Sequence, residues 1–232
     1  MWTRDQLLSR ISEDPELAAL HAYALASMDD DPGHDLAHCL RVALWTVAIG
    51  EGQPEVDWRE AVAAALLHDI VNVPKNSPDR HRASEVCAEL AARELPRFGF
   101  SPEAVVRIAE AIRDHSFSRG AIPVTPLGCA LQDADRLEAL GVIGLFRCIS
   151  TGVRMGARYF HDTDPFADSR PLDDKAFSID HFAAKLLSLP GTMRTERGRL
   201  EAERRAEVLR KTLTDLAIEL GQPITPESKV RP

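Results

Sequence analysis

The dipeptide His68-Asp69 closes the most apolar run of the chain, Ala61 to Leu67, and is followed by Ile70-Val71. A carboxylate in such surroundings is costly unless a cation or several hydrogen-bond donors meet it. A divalent metal ion supplies that charge, and the neighbouring imidazole supplies a second ligand. The plainer alternative is a helix-terminal His with an Asp capping the next turn. His-Asp occurs twice more, at His34-Asp35 and His161-Asp162, so the dipeptide alone decides nothing. His34 and His38 lie four residues apart, which on a helix puts both imidazoles on one face. Asp133 and Asp135 form an acidic pair between Leu131 and Leu137, inside a helix with apolar spacing. Two imidazoles and two carboxylates make a mixed nitrogen and oxygen site for a divalent ion of intermediate hardness. Such a site leaves coordination positions for water and for substrate oxygens. His115 follows the helically spaced Val105, Ile108 and Ile112. It could bond a phosphate or move a proton, or it could simply be satisfied by backbone groups.

These side chains need rigid elements to hold them, and the apolar spacing predicts helices throughout. The helical stretches fall at about 3–28, 34–50, 57–70, 81–95, 102–115, 126–138, 139–157, 175–189 and 195–220. Asp29 to Gly33, Gly50 with Gly52, and the two prolines between Asn72 and Pro78 break the pattern. His161 to Asp174 reads as an exposed loop, and the tail after residue 220 carries three prolines. Nowhere do β-branched residues alternate with polar ones between turn signals, and aromatic residues are only 6% of the chain. The expected fold class is therefore all-α, as one domain over residues 1–232.

The 232 residues carry 28 Lys plus Arg against 36 Asp plus Glu, a formal net charge of −8. That balance argues against a nucleic-acid polymer as partner, because phosphate backbones reward basic surfaces. It leaves small phosphorylated substrates open, since a few cations in one pocket suffice. No apolar run approaches the ~18 residues of a membrane span, and Met1 to Asp5 lacks the basic-then-apolar order of a signal peptide. No membrane partner is expected, and the expected location is cytoplasmic. The four cysteines, Cys39, Cys87, Cys129 and Cys148, form no CxxC pair and read as reduced thiols.

The order His38, His68-Asp69, Asp135 resembles the H…HD…D signature of the HD-superfamily metal-dependent phosphohydrolases. The contexts fit as well: H-x-x-R-V at His38, L-L-H-D-I-V at 66–71, and D-A-D-R-L-E-A-L-G at 133–141. The strings H-D-I-V-N-V-P-K-N, R-D-H-S-F-S at 113–118 and D-H-F-A-A-K-L-L-S-L-P at 180–190 are similar to those of stand-alone bacterial HD hydrolases. The resemblance spans about residues 30 to 215. It implies a helical bundle with an HD core at about 30–150 and additional C-terminal helices at about 160–220. It also implies His38, His68, Asp69 and Asp135 as metal ligands, with Mn²⁺, Fe²⁺, Mg²⁺, Ni²⁺ or Zn²⁺ as the cofactor. Asp133 either orients a ligand from behind or caps a turn.

The implied chemistry is attack of a metal-activated water on phosphorus, with cations steadying the charge on the phosphoryl oxygens. The substrate implied is a soluble nucleotide or related phosphoester, and the narrower implication is nucleoside triphosphate pyrophosphohydrolysis. A 5′-nucleotidase or cyclic phosphodiesterase is the alternative within the enzyme class. Outside it stand a metal- or nucleotide-binding regulatory module and a helical scaffold with a coincidental HD string. Degenerate modules lose ligands, whereas all four candidates are present here. His34, Asn72, Lys75, Arg80 and Lys185 are the candidate substrate contacts, and Asp69 and His115 the candidate catalytic groups. Some HD nucleotide hydrolases carry an acid at the position of Asn72. An amide there cannot titrate, so the general acid must be another group or water, and Asp69 gains weight as a proton acceptor. Oligomeric state is not legible.

Overall fold

Several helices begin where a short polar side chain takes up free backbone N–H groups. Thr3 forms a reciprocal capping box with Gln6 and starts α1 (Arg4–Glu13). The Asp14 carboxylate accepts from the N–H groups of Glu16 and Leu17, and Pro15 opens α2 (Pro15–Ser27). The single helical stretch expected over 3–28 is thus broken at Asp14-Pro15, where the cap and the missing N–H end one helix and begin another. Asp35 caps α3 (Leu36–Gly50) and Asp57 caps α4 (Trp58–Leu67). Next come α5 (Ala83–Glu94), a 3-10 turn at Leu95–Phe98, and α6 (Pro102–Asp114), which Ser101 caps.

The structure is a computed structural model, and it describes residues 1–28, 35–71, 82–116 and 119–222. Among the described residues it contains ten α-helices and no strand, apart from an isolated bridge between Arg158 and Phe177. The chain is all-α. No helix among the described residues is long and apolar enough to cross a membrane. Two compact units divide the chain, Met1–Asp135 and Arg136–Pro232.

In the first unit α4 is the central element. Its residues Ala61 to Leu67 are all fully buried, so this helix is covered on every side rather than along one stripe. Four of those seven residues are Ala, which lets α3 and α6 approach the α4 backbone closely. Helix α5 packs against α6, and α7 (Pro126–Leu137) brings Leu127, Ala130, Leu131 and Ala134 into the core.

The second unit begins in the last turn of α7 and continues into α8 (Gly141–Arg154) and the closing helix α10 (Glu196–Glu219), which pack together. The helix expected over 175–189 is instead a short α9 (Asp180–Ala184) followed by a 3-10 segment, Leu186–Thr192. Asp180 is the cause at its start. Its buried carboxylate takes the Arg170 guanidinium and the Asp173 N–H, which ties the chain into the preceding loop. Pro190 lies inside the 3-10 segment and adds no backbone donor.

Candidate metal centre

Four helix ends of the first unit deliver the ionisable residues that the spacing singled out. His38 is the third residue of α3, and its own N–H is fastened to the Asp35 carboxylate at 2.8 Å. His34-Asp35 is therefore, in its second member, a capping residue. His68 is the C-cap of α4, Asp69 follows it, His115 is the C-cap of α6, and Asp135 lies near the end of α7. His38 and His68 are fully buried and His115 nearly so, while the Asp69 and Asp135 side chains keep about a quarter of their surface exposed.

The donor atoms converge. His38 Nε2 lies 3.2 Å from His68 Nε2, 3.6 Å from Asp135 Oδ1 and 3.9 Å from Asp69 Oδ2. His68 Nε2 lies 3.7 Å from Asp69 Oδ2 and 3.8 Å from Asp135 Oδ1. Ligand atoms held at ~2.0–2.2 Å from one ion are separated by roughly 2.8–3.6 Å between neighbouring positions in octahedral or tetrahedral geometry. The observed spacings come within a few tenths of an ångström of that range, so His38, His68 and Asp69 could hold a metal ion.

The backbone chooses the tautomers. His68 Nδ1 donates to the Ala65 carbonyl at 2.7 Å, and His115 Nδ1 donates to the Ile112 carbonyl at 2.6 Å. Both are C-cap imidazoles bonded to the carbonyl three residues back, and both are left with Nε2 directed at the cluster. A metal-ligating His has its other ring nitrogen fixed in this way. The third imidazole adds to the set, since His115 Nε2 lies 3.8 Å from Asp69 Oδ1.

The crowding of like and unlike groups sets the electrostatics. Burial opposes a charge on His68, but Asp69, Cys39 and Asp135 more than offset it and push the imidazole up to about 10. Burial pushes the His115 imidazole down, and the charge on His68 pushes it further, against Asp69 and Asp135. Burial would raise Asp135, yet His68, His115 and His38 together hold it below the usual carboxylate range. Strong mutual perturbation of this kind marks functional sites.

Of the other expected residues, Lys185 follows α9 in the second unit. His34, Asn72, Lys75 and Arg80 lie outside the described residues. Asp133 is fully buried. Gln132, which the sequence reading passed over, positions part of the centre. Its buried Nε2 donates to the carbonyls of Asp114 and Ala121, at 2.9 and 3.1 Å, and so pins the residues on either side of His115 and Arg119. Its spacing of three from Asp135 places it on the same face of α7, which was the available signal. Replacing Gln132 with Leu leaves two carbonyls short of a donor and is expected to cost about 1–3 kcal/mol. Denaturant unfolding of the variant checks this, and an unchanged midpoint would contradict the role.

A helical bundle that converges an imidazole, a His-Asp pair at a buried helix end and a carboxylate from a later helix has the arrangement expected of an HD-type centre. Comparison agrees: residues 35–140 match the HD domain family. The uncharacterized protein YpgQ of Bacillus subtilis is 34% identical over 181 residues, covering 76% of this chain and 80% of that one. The crystal structure of Bacillus subtilis YpgQ in complex with ADP superposes with a TM-score of 0.69 at 28% identity, over 88% of this chain and 94% of that one. A "predicted HD superfamily hydrolase" from an uncultured Thermotogales bacterium gives a TM-score of 0.61 at 26% identity, over 92% and 98% of the two chains. The chain belongs to the HD-domain family and is an HD-type metal-dependent phosphohydrolase.

Proposed function

We propose that the protein hydrolyses a soluble nucleotide at phosphorus, and that nucleoside triphosphates are cleaved between the α- and β-phosphates with release of diphosphate. The observation that carries the reading is the convergence of His38, His68, Asp69 and Asp135, with His115 Nε2 set 3.8 Å from Asp69 Oδ1. ADP in the complex of the relative YpgQ supports a nucleotide as the class of ligand, and the resemblance to stand-alone HD hydrolases supports the narrower chemistry.

In this reading His38, His68, Asp69 and Asp135 hold the ion. A bound divalent cation supplies Lewis acidity toward phosphoryl oxygens and makes a water acidic enough to attack at neutral pH. The chain does the rest. The two carboxylates offset the cation's charge, and the Nδ1–H bonds to Ala65 and Ile112 fix which ring nitrogen faces the substrate. Asp69 divides its work between two oxygens. Oδ2 faces the ligand imidazoles, and Oδ1 faces His115, so a proton leaving water can pass through the carboxylate toward Nε2. His115 is suited to receive it, because its lowered basicity keeps it neutral near pH 7. The 3.8 Å separation is longer than a hydrogen bond and matches a gap that substrate binding tightens or a water bridges.

Proton accounting gives a second expectation. A His68 imidazole that titrates at about 10 in the metal-free protein must lose its Nε2 proton before it can ligate. Apparent affinity for Mn²⁺ is therefore expected to rise about tenfold per pH unit from 7 towards 10. Calorimetry in buffers of different ionisation enthalpy measures the released proton, and a pH-independent affinity would contradict it.

The activity is tested by product analysis on a panel of nucleoside triphosphates with Mn²⁺ or Mg²⁺. Diphosphate with monophosphate nucleoside is expected. Orthophosphate from mononucleotides would make the protein a nucleotidase, opening of cyclic nucleotides would make it a phosphodiesterase, and metal binding without turnover of any phosphoester would leave a regulatory module.

A further inference from the structure

We propose that Arg119 is the phosphate-binding cation of this site, resting on Glu85 until a substrate phosphate takes the carboxylate's place. The inference rests on the nucleotide reading above and names a residue that the family signature does not contain.

Three ties join Arg119 to the segments that carry the centre. It lies four residues after His115, a reach of at most ~15 Å between Cα atoms. The segment that carries it is fastened at Asp114 and at Ala121 to the same Gln132 amide, one helical turn before Asp135. Its resting partner belongs to α5, and α5 is tied to the chain just beyond Asp69, where Cys87 Sγ lies 3.7 Å from the Val71 carbonyl. Arg119 is thus tied through Gln132 to α7, which carries Asp135, and through Glu85 and α5 to Val71, two residues after Asp69.

Its contacts leave it ready to exchange partners. Nη1 donates to Glu85 Oε1 at 2.6 Å, and Nε stands 4.0 Å from Asp114 Oδ1, beyond hydrogen-bonding distance. Asp114 is already gripped by both arms of Arg113 at 2.9 Å. Nη2 makes no hydrogen bond among the described residues, and the side chain is 28% exposed. Half of the guanidinium fork is therefore unspent. A fork of this shape matches two oxygens of a phosphate, and a phosphate with its greater charge competes well against a single half-exposed carboxylate. The ligand class that fits is a nucleoside di- or triphosphate, with Arg119 on the phosphates that are not attacked. A purely structural Arg119–Glu85 pair has one consequence that separates it from this reading: removal of either partner must then act in the same direction.

The test compares wild type, Arg119→Ala, Arg119→Lys and Glu85→Gln by steady-state kinetics on ATP and by calorimetric binding of ADP, both with Mg²⁺. Loss of the guanidinium is expected to raise KM and weaken ADP binding by about ten- to a hundredfold, with kcat within about threefold of wild type. Arg119→Lys is expected to fall between the two, because it keeps the charge and loses the fork. Glu85→Gln is expected to leave KM unchanged or to lower it. The inference is overturned if Arg119→Ala binds like wild type, or if Glu85→Gln weakens binding as much as Arg119→Ala does. Should Arg119→Ala fail to fold, Arg119→Lys and Glu85→Gln still have to move KM apart. If wild type binds ADP without turning over nucleotides, the proposed activity fails while the ADP comparison still decides the role of Arg119. If wild type neither binds nor cleaves, both readings fall together.

Discussion

Replacing His68 with Ala is expected to lower kcat/KM by at least about 10³ and to strip the protein of bound metal, while leaving it folded. The kinetic figure follows from the loss of both transition-state charge stabilisation and the acidified water. His68 stands at the centre of the cluster. Its Nε2 is within 3.8 Å of His38 Nε2, Asp69 Oδ2 and Asp135 Oδ1, and its Nδ1 is committed to the Ala65 carbonyl. The site is built around that one atom. Metal content by elemental analysis, with turnover at saturating Mn²⁺, measures both consequences. A His68→Ala protein that keeps its metal and its rate would mean that the convergence is a buried polar cluster and nothing more.

The second large effect is on stability and reaches the same site through packing. Leu67 is fully buried in the last turn of α4, directly before the His-Asp pair. Leu67→Ala is expected to cost about 2–5 kcal/mol, since the neighbouring helices close a lost volume only in part. In a chain of this size that is a fall in melting temperature of about 5–15 °C. Because the cavity opens beneath the backbone that carries His68 and Asp69, metal affinity is expected to fall with it. Thermal unfolding of the metal-free and Mn²⁺-loaded variant separates the two terms. A melting point within a degree of wild type would contradict the central place of α4.

The cluster of ionisable side chains was partly legible because chemistry and burial disagree in the sequence at some of its positions. A His-Asp pair at the end of Ala61–Leu67, and a carboxylate inside Leu131–Leu137, make sense only if something compensates the charge. Local sequence also carried the helices wherever a cap and a run of apolar spacing coincided, as at Asp35, Asp57 and Ser101. It failed where a strong local signal sat inside a continuous pattern. Asp14-Pro15 interrupts helical spacing that runs unbroken on both sides, and only the cap geometry shows that the chain restarts there. Asp180 was invisible for a different reason. Its partners Arg170 and Asp173 come from a loop whose path no periodicity encodes, and their grip on the carboxylate shortens α9. Gln132 and Arg119 share that limitation. Each bonds a carbonyl or a carboxylate on another segment, so residue type does not announce the contact, and for Gln132 only its spacing from Asp135 hints at it.

Hydrolysis of a nucleotide phosphoanhydride by this protein is expected to require a divalent ion held by His38, His68, Asp69 and Asp135. That requirement is tested most directly by following diphosphate release from a nucleoside triphosphate in one preparation before chelation, after chelation, and after readdition of Mn²⁺. In wild type, release is expected to disappear with the metal and return with it, whereas readded Mn²⁺ is not expected to restore it in Asp69→Ala. Equal release from chelated wild type, or from metal-loaded Asp69→Ala, would contradict it.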